Sequence, residues 1–174
     1  MKSASLKTNI EEVLSVLIGE PLVNSFRVCN MQCFKFGKSR KTWSKFRKKA
    51  VVTTEFNLHI DCVWRLSRRE RIILAYRDYY FRPDNDEVQR QDWDWMVANR
   101  YDERNKAFVQ SHKEVPLVVK KILADRIGGF RLTFTDGVVL DVFPDNSGKE
   151  EFWRFFRSGA RKHFVVIGDG DESL

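Results

Sequence analysis

Nowhere does this sequence run more than a handful of positions without a charged or strongly polar residue. That is far short of the roughly 18–20 apolar residues a membrane span needs. The first twenty residues hold Glu11, Glu12 and Glu20 and no continuous apolar stretch, so no secretory signal is expected. Cysteine is scarce: Cys29, Cys33 and Cys62 cannot all pair, and three are too few for a disulfide scaffold. A reduced, cytoplasmic protein is the expectation. The recurrent catalytic signatures are missing as well. There is no Gly-x-Ser-x-Gly, no glycine-rich phosphate loop and no His-Glu-x-x-His. Gly128-Gly129 leads into a strand pattern rather than a helix, so it makes no anion-binding helix start.

What is present suits one folded unit. The 174 residues are 43% hydrophobic and include 14 Phe and 5 Trp, enough to bury a core and too apolar for a disordered chain. Thr8 followed by Glu11 has the spacing of a capping box. Ile10, Val13, Leu14, Leu17 and Ile18 then form one apolar face, closed by Gly19 and Pro21, which predicts a helix over 9–18. The period changes to two from Ser25, predicting a strand over 26–36. Phe56, Leu58, Ile60, Cys62, Trp64 and Leu66 alternate with mostly polar residues and predict a second strand over 55–66. The polar turn at 67–70 joins it to a third at 71–81. A second helix is expected over 101–112, with Asn99 as its cap, and Pro116 resets the chain. The last third reads as a meander: strands over 117–125, 129–135, 138–143, 151–157 and 163–167, with Asp136-Gly137 as a hairpin turn, and an acidic tail at 169–174. The expected fold class is α+β. It is a single domain with a mostly antiparallel curved sheet or partly closed barrel of about seven or eight strands, covered by the first helix.

Charge is distributed unevenly. The net charge of +7 comes from 31 basic and 24 acidic side chains, but residues 1–50 hold 11 basic and 3 acidic while the rest is nearly balanced. Eight cations and no acid fall within residues 35–49. In this stretch Lys38, Arg40, Lys41, Lys45, Arg47, Lys48 and Lys49 interleave with Trp43 and Phe46, which makes these nine residues the candidates for binding a polyanion. Cations attract phosphates without regard to sequence, and an aromatic ring can stack on an unpaired base. The segment is expected to be a long loop or short helix between strands, over 38–50. Four readings stay open for it: a solvated loop anchored by Trp43 and Phe46, a nucleic-acid contact, an acidic protein partner, or an anionic membrane surface.

Other constellations are weaker. Cys29, Cys33, His59 and Cys62 are four possible ligands, but on strands they fall too far apart or on opposite faces for one zinc ion, and buried free thiols account for the cysteines better. No metal or cofactor is expected. Asp92-Trp93-Asp94-Trp95 could line a cleft or pin a loop to the core. Arg100 and Arg104, one helical turn apart, could hold an anion by forked hydrogen bonds or bridge nearby acids. With His59 they are the candidates for an anion pocket.

The succession Leu58-His59-Ile60-Asp61-Cys62-Val63-Trp64-Arg65, Asn99-Arg100-Tyr101-Asp102, Leu140-Asp141-Val142-Phe143-Pro144-Asp145, Glu151-Phe152-Trp153-Arg154 and His163-Phe164-Val165-Val166 resembles a family of small bacterial proteins with no established reaction, over residues 14–168. The resemblance implies a bacterial, cytoplasmic single domain and carries over no catalytic residue. This sequence departs from the family at 38–49, where a shorter connection is expected. Taken together, the readings favour a non-enzymatic binding protein of the immunity-protein or adaptor kind with a protein partner. The alternatives are a nucleic-acid-binding protein acting through 35–49, and an enzyme with a pocket near His59, Arg100 and Arg104. A net charge of +7 counts against neutralising a basic toxin.

Overall fold

Ser5, not Thr8, opens the first helix: its Oγ accepts a hydrogen bond from the Thr8 amide, and α1 runs Leu6–Leu14 before a tighter 3-10 turn at Ser15–Leu17. The computed structural model describes residues 5–44, 48–85 and 93–173. Because the helix starts a turn earlier than the spacing predicts, Glu11 is free of a capping role. It pairs instead with Lys7 and accepts from the Ala124 amide at 3.0 Å.

Among the described residues eleven strands follow, in two antiparallel sheets. The larger sheet contains β1 (Leu22–Val28), β2 (Met31–Ser44), β3 (Lys49–Ile60), β9 (Glu151–Arg157), β10 (Phe164–Ile167) and β11 (Gly170–Ser173), side by side in that order. The smaller contains β4 (Val63–Arg68), β5 (Arg71–Ala75), β6 (Val119–Ala124), β7 (Phe130–Phe134) and β8 (Val138–Phe143), in the order β5-β4-β8-β7-β6. The α+β class therefore stands, and the partly closed barrel of seven or eight strands is corrected to two separate sheets. The stretch 26–36 is two strands, since Cys29 adopts φ 54° and turns the chain back on itself. The stretch 55–66 is also two. The chain bends at Asp61–Cys62 and passes from one sheet to the other while keeping Ile60, Cys62 and Trp64 inward. The strand expected over 71–81 stops at Ala75 and continues as a 3-10 turn at Tyr76–Tyr80. The expected acidic tail carries β11, paired with β10.

The inward faces meet in a shared core. Phe34 packs edge-on against Trp64 at 5.6 Å, Phe36 stacks on Phe134 at 6.4 Å, and Phe130 meets Trp153 at 4.8 Å, each pair joining one sheet to the other. Trp153 is fully buried, and its Nε1 donates to the Gly128 carbonyl at 2.8 Å. α1 lies against β6 and reaches β11 through Asn9 and Asp171. The second helix, α2 (Arg100–Ser111), is capped by Asn99, as expected, and lies against β1 and β5. Each helix thus spans one edge strand from each sheet. Among the described residues no helix is long and apolar enough to cross a membrane.

Candidate functional site

In its described residues, 38–44 and 48–50, the basic segment is neither a loop nor a short helix but the distal part of a β-hairpin. β2 and β3 pair continuously from Gln32↔Ile60 out to Ser44↔Lys49. Their other neighbours stop much earlier: β1 leaves β2 at Phe36, and β9 leaves β3 at Phe56. Beyond the foot, from Ser39 on β2 and Thr53 on β3 outward, no third strand pairs with either of them among the described residues. The six residues from Ser39 to Ser44 carry this two-stranded ribbon about 20 Å beyond the sheet at the usual rise per residue. The segment reads poorly as strand because nothing covers it, and without a buried face no hydrophobic alternation is required.

A bulge marks the point of departure. Between the pairs Phe36↔Phe56 and Ser39↔Thr54, β2 has two residues, Gly37 and Lys38, where β3 has only Glu55. Gly37 takes φ 79°, a left-handed conformation that glycine adopts without a Cβ clash. Ser158, just past β9, ties down the foot: its amide donates to the Glu55 carbonyl at 2.9 Å, its Oγ donates to the Thr54 carbonyl, and Asn57 Nδ2 donates to that Oγ.

The ribbon's side chains sort by pairing. Arg40 opposite Thr53 and Thr42 opposite Val51 occupy one face; Lys41 opposite Val52 and Trp43 opposite Ala50 occupy the other. Lys38, Arg40, Lys41, Lys48 and Lys49 are exposed, and among the described residues none forms an ion pair with a carboxylate. Trp43 is 68% exposed, so it does not anchor the segment to the body. Lys45, Phe46 and Arg47 lie outside the described residues. From Pro21 to Thr54 the chain holds no Asp or Glu at all.

The geometry adds residues that the sequence reading passed over. Arg157 at the end of β9 reaches Glu55 (3.5 Å) and, with Arg40, Thr42, Thr53 and Ser158, lines a notch at the ribbon's foot. Arg161 and Lys162 follow in the exposed turn between β9 and β10. The run 152–163 carries four Arg or Lys and no acid, a signal hidden when charge is averaged over the whole second part of the chain.

The anion-pocket candidates do not come together. His59 is on β3 with its side chain on the outer face of the larger sheet, directly opposite Cys33 on one side and Arg154 on the other. Burial, then the charge of Arg154, pulls its imidazole below the ordinary histidine value. Arg100 and Arg104 are on α2, across the sheet. Arg27 sits in line with Gln32 and Ile60 on the opposite face from His59, and it is Arg27 that holds α2 through Asp102. Both helix arginines bind Asp84, Arg100 Nε to Oδ1 at 3.0 Å and Arg104 Nε to Oδ2 at 2.6 Å, and together they hold its carboxyl below the usual range. They bridge an acid, and no cleft among the described residues joins them to His59. A broad cleft of about 1030 Å³ does lie between the β4–β5 turn and α2, rimmed by Arg68, Arg69, Arg71 and Arg104. Asp136 and Asp84 already neutralise two of those four.

The cysteines divide. Cys33 and Cys62 are buried free thiols, pushed up to about 11 and about 12 by that burial, whereas Cys29 is exposed in the β1–β2 turn. Among the described residues no group of three or more His, Cys, Asp or Glu is placed to hold a metal ion. Of the aspartate–tryptophan run, Asp92 lies outside the described residues. Trp95 packs on Tyr80 at 5.3 Å, and Trp93 Nε1 donates to the Ala98 carbonyl, so both tryptophans fasten their own loop. Compared with known proteins, the chain matches no family model, no curated protein and no solved structure.

Proposed function

We propose that this protein is a binding protein rather than an enzyme, and that the β2–β3 ribbon is its arm for nucleic acid. One observation carries the reading: a hairpin freed from both neighbouring strands, with exposed cations on both faces, no acid from Ser39 to Thr54, and a solvent-exposed tryptophan among them. A two-stranded ribbon is narrow enough to lie along a phosphate backbone or in a groove, and cations on both faces suit a ligand whose charge surrounds it. A protein partner would be expected to meet an apolar centre. Here the large apolar groups of the described ribbon reduce to Trp43, Val51 and Val52. The basic turn at Arg161-Lys162 extends the positive surface past the ribbon's foot.

The test is fluorescence anisotropy of a labelled oligonucleotide across a salt series. About five phosphate contacts give a log–log slope near −4, which is on the order of 200-fold weaker binding for a fourfold rise in salt. The double variant Lys41→Glu with Lys49→Glu should lose most of the affinity and flatten the slope, while its unfolding midpoint stays close to that of the parent. Absence of binding at about 50 mM salt, where phosphate contacts are strongest, or a double variant that binds as tightly as the parent, refutes the reading.

A further inference from the structure

We infer that the nucleic acid is single-stranded, and that an unpaired base stacks on the aromatic step formed by Phe156 and His163 at the foot of the ribbon. The inference rests on the ribbon reading above and names the substrate class it leaves open.

Position is the first support. Phe156 is directly opposite Asn57 on β3, and Ser158, two residues further on, is the residue that clamps the ribbon's foot. Along β3 the side chains of Lys49, Val51, Thr53, Glu55, Asn57 and His59 alternate out of the core, so the step lies on the face that continues into Arg40 and Thr42. A strand of phosphates following that face of the ribbon runs onto Phe156 and His163.

Geometry is the second. The two rings are stacked 4.1 Å apart at 11°, already arranged as one step of a base stack. His59 sets its ring edge-on against Phe156 at 5.0 Å and 88°, bracing the step from the sheet side. Among the described residues no further ring or guanidinium covers His163. Both residues are half-exposed on the sheet's outer face, outside the core that the two sheets share.

Charge is the third. Lys162 adjoins His163 in the exposed turn, and the nearby acid Glu151 is already neutralised by Arg154, which leaves the step facing net positive charge. A base in duplex DNA already stacks on its own neighbours and offers no free π-face, whereas an unpaired base gains from an aromatic platform. A flat step on an open sheet face therefore selects the single strand.

The experiment uses the full chain with three labelled 12-mers: oligo(dT), the same backbone with abasic sugars, and a duplex. Oligo(dT) should bind at least about fivefold tighter than the abasic oligomer, the lower end of what one stacked base contributes. The variants His163→Ala and Phe156→Leu, the second keeping its apolar bulk, should each close that gap without altering the salt slope. The Lys41→Glu, Lys49→Glu variant should weaken all three ligands together. Equal binding of oligo(dT) and the abasic oligomer, tighter binding of the duplex, or an unchanged gap in both variants overturns the stacking site while leaving the ribbon standing. If the ribbon variant binds all three like the parent, the ribbon reading fails and takes this one with it.

Discussion

Arg27 on β1 holds Asp102 in the first turn of α2 through two parallel hydrogen bonds, Nε to Oδ1 at 2.8 Å and Nη2 to Oδ2 at 2.6 Å. The guanidinium is almost wholly buried, its side chain 9% exposed, while the aspartate is 36% exposed. The two ends of the pair are therefore unequal. Asp102→Ala strands a buried cation and should cost about 2 kcal/mol, below the usual range for a buried pair because water still reaches this one. Arg27→Met removes the buried charge, leaves a carboxylate that water can solvate, and should cost less. Urea unfolding of both variants checks the order, and a costlier Arg27→Met would show that the clamp acts through packing instead.

Gly37 is the second test, because it sets the angle at which the ribbon leaves the sheet. A Cβ there would approach Glu20 Oε2 and Glu55 Cβ to 3.1 Å, in a backbone conformation with φ 79°. Gly37→Ala should destabilise by about 1–2 kcal/mol from the left-handed backbone alone, read as a lower urea midpoint. Nucleic-acid affinity should change with it, since the bulge aims the ribbon. An unchanged midpoint would mean the bulge relaxes without cost.

The pH dependence follows from His59. Its folded-state value is lowered by burial, then by Arg154, with Lys35 and His163 acting the same way and Glu151 against. The unfolded chain therefore binds a proton near pH 6.5 that the folded one refuses, and stability present above that pH is lost as the pH falls through and below it. His59→Gln should flatten the slope of stability against pH between about 7 and 5.5. Glu11 and Asp84, held low by Lys7 and Arg104, lose stability only in the acid range, and Asp61, raised by its burial, contributes with the opposite sign. A slope unchanged in the variant would assign the effect to another group.

Thiol chemistry separates the cysteines. Iodoacetamide followed by intact-mass measurement should give one adduct on the native protein and three in denaturant, since Cys33 and Cys62 are buried and Cys29 is not. Cys29→Ser should abolish the native adduct. Fast native labelling of either buried thiol would contradict their burial.

How much of this was legible in the sequence depends on what each feature leaves behind in it. Phe56 to Leu66 keep one unbroken alternation, so the inward face could be read but not the corner at Asp61–Cys62, where the chain changes sheets without changing face. The turn at Cys29-Asn30 uses a cysteine at positive φ and carries no Gly or Asn-Gly signal, which merged β1 and β2. β11 has no apolar residue and is held by backbone pairing with β10 and by the Asn9–Asp171 hydrogen bond. The charge concentration at 35–49 and the Asn99 cap were visible because each is local. The step between Phe156 and His163 was not, since six residues, the turn among them, separate two rings that the pairing of β9 with β10 brings together.

The free half of the ribbon has a further consequence. Past the foot, from Ser39 on β2 and Thr53 on β3 outward, both of its strands present an edge that no third strand pairs with among the described residues, an open template for another copy of the chain. The lysines and arginines along it are what make such a meeting unfavourable, since two ribbons approaching edge to edge bring like charges together. At about 1 M salt the screening length falls to about 3 Å, and that protection fades. Solubility of this protein is therefore bound to ionic strength through one hairpin, and any change that makes the hairpin neutral trades the proposed binding arm for a sticky edge.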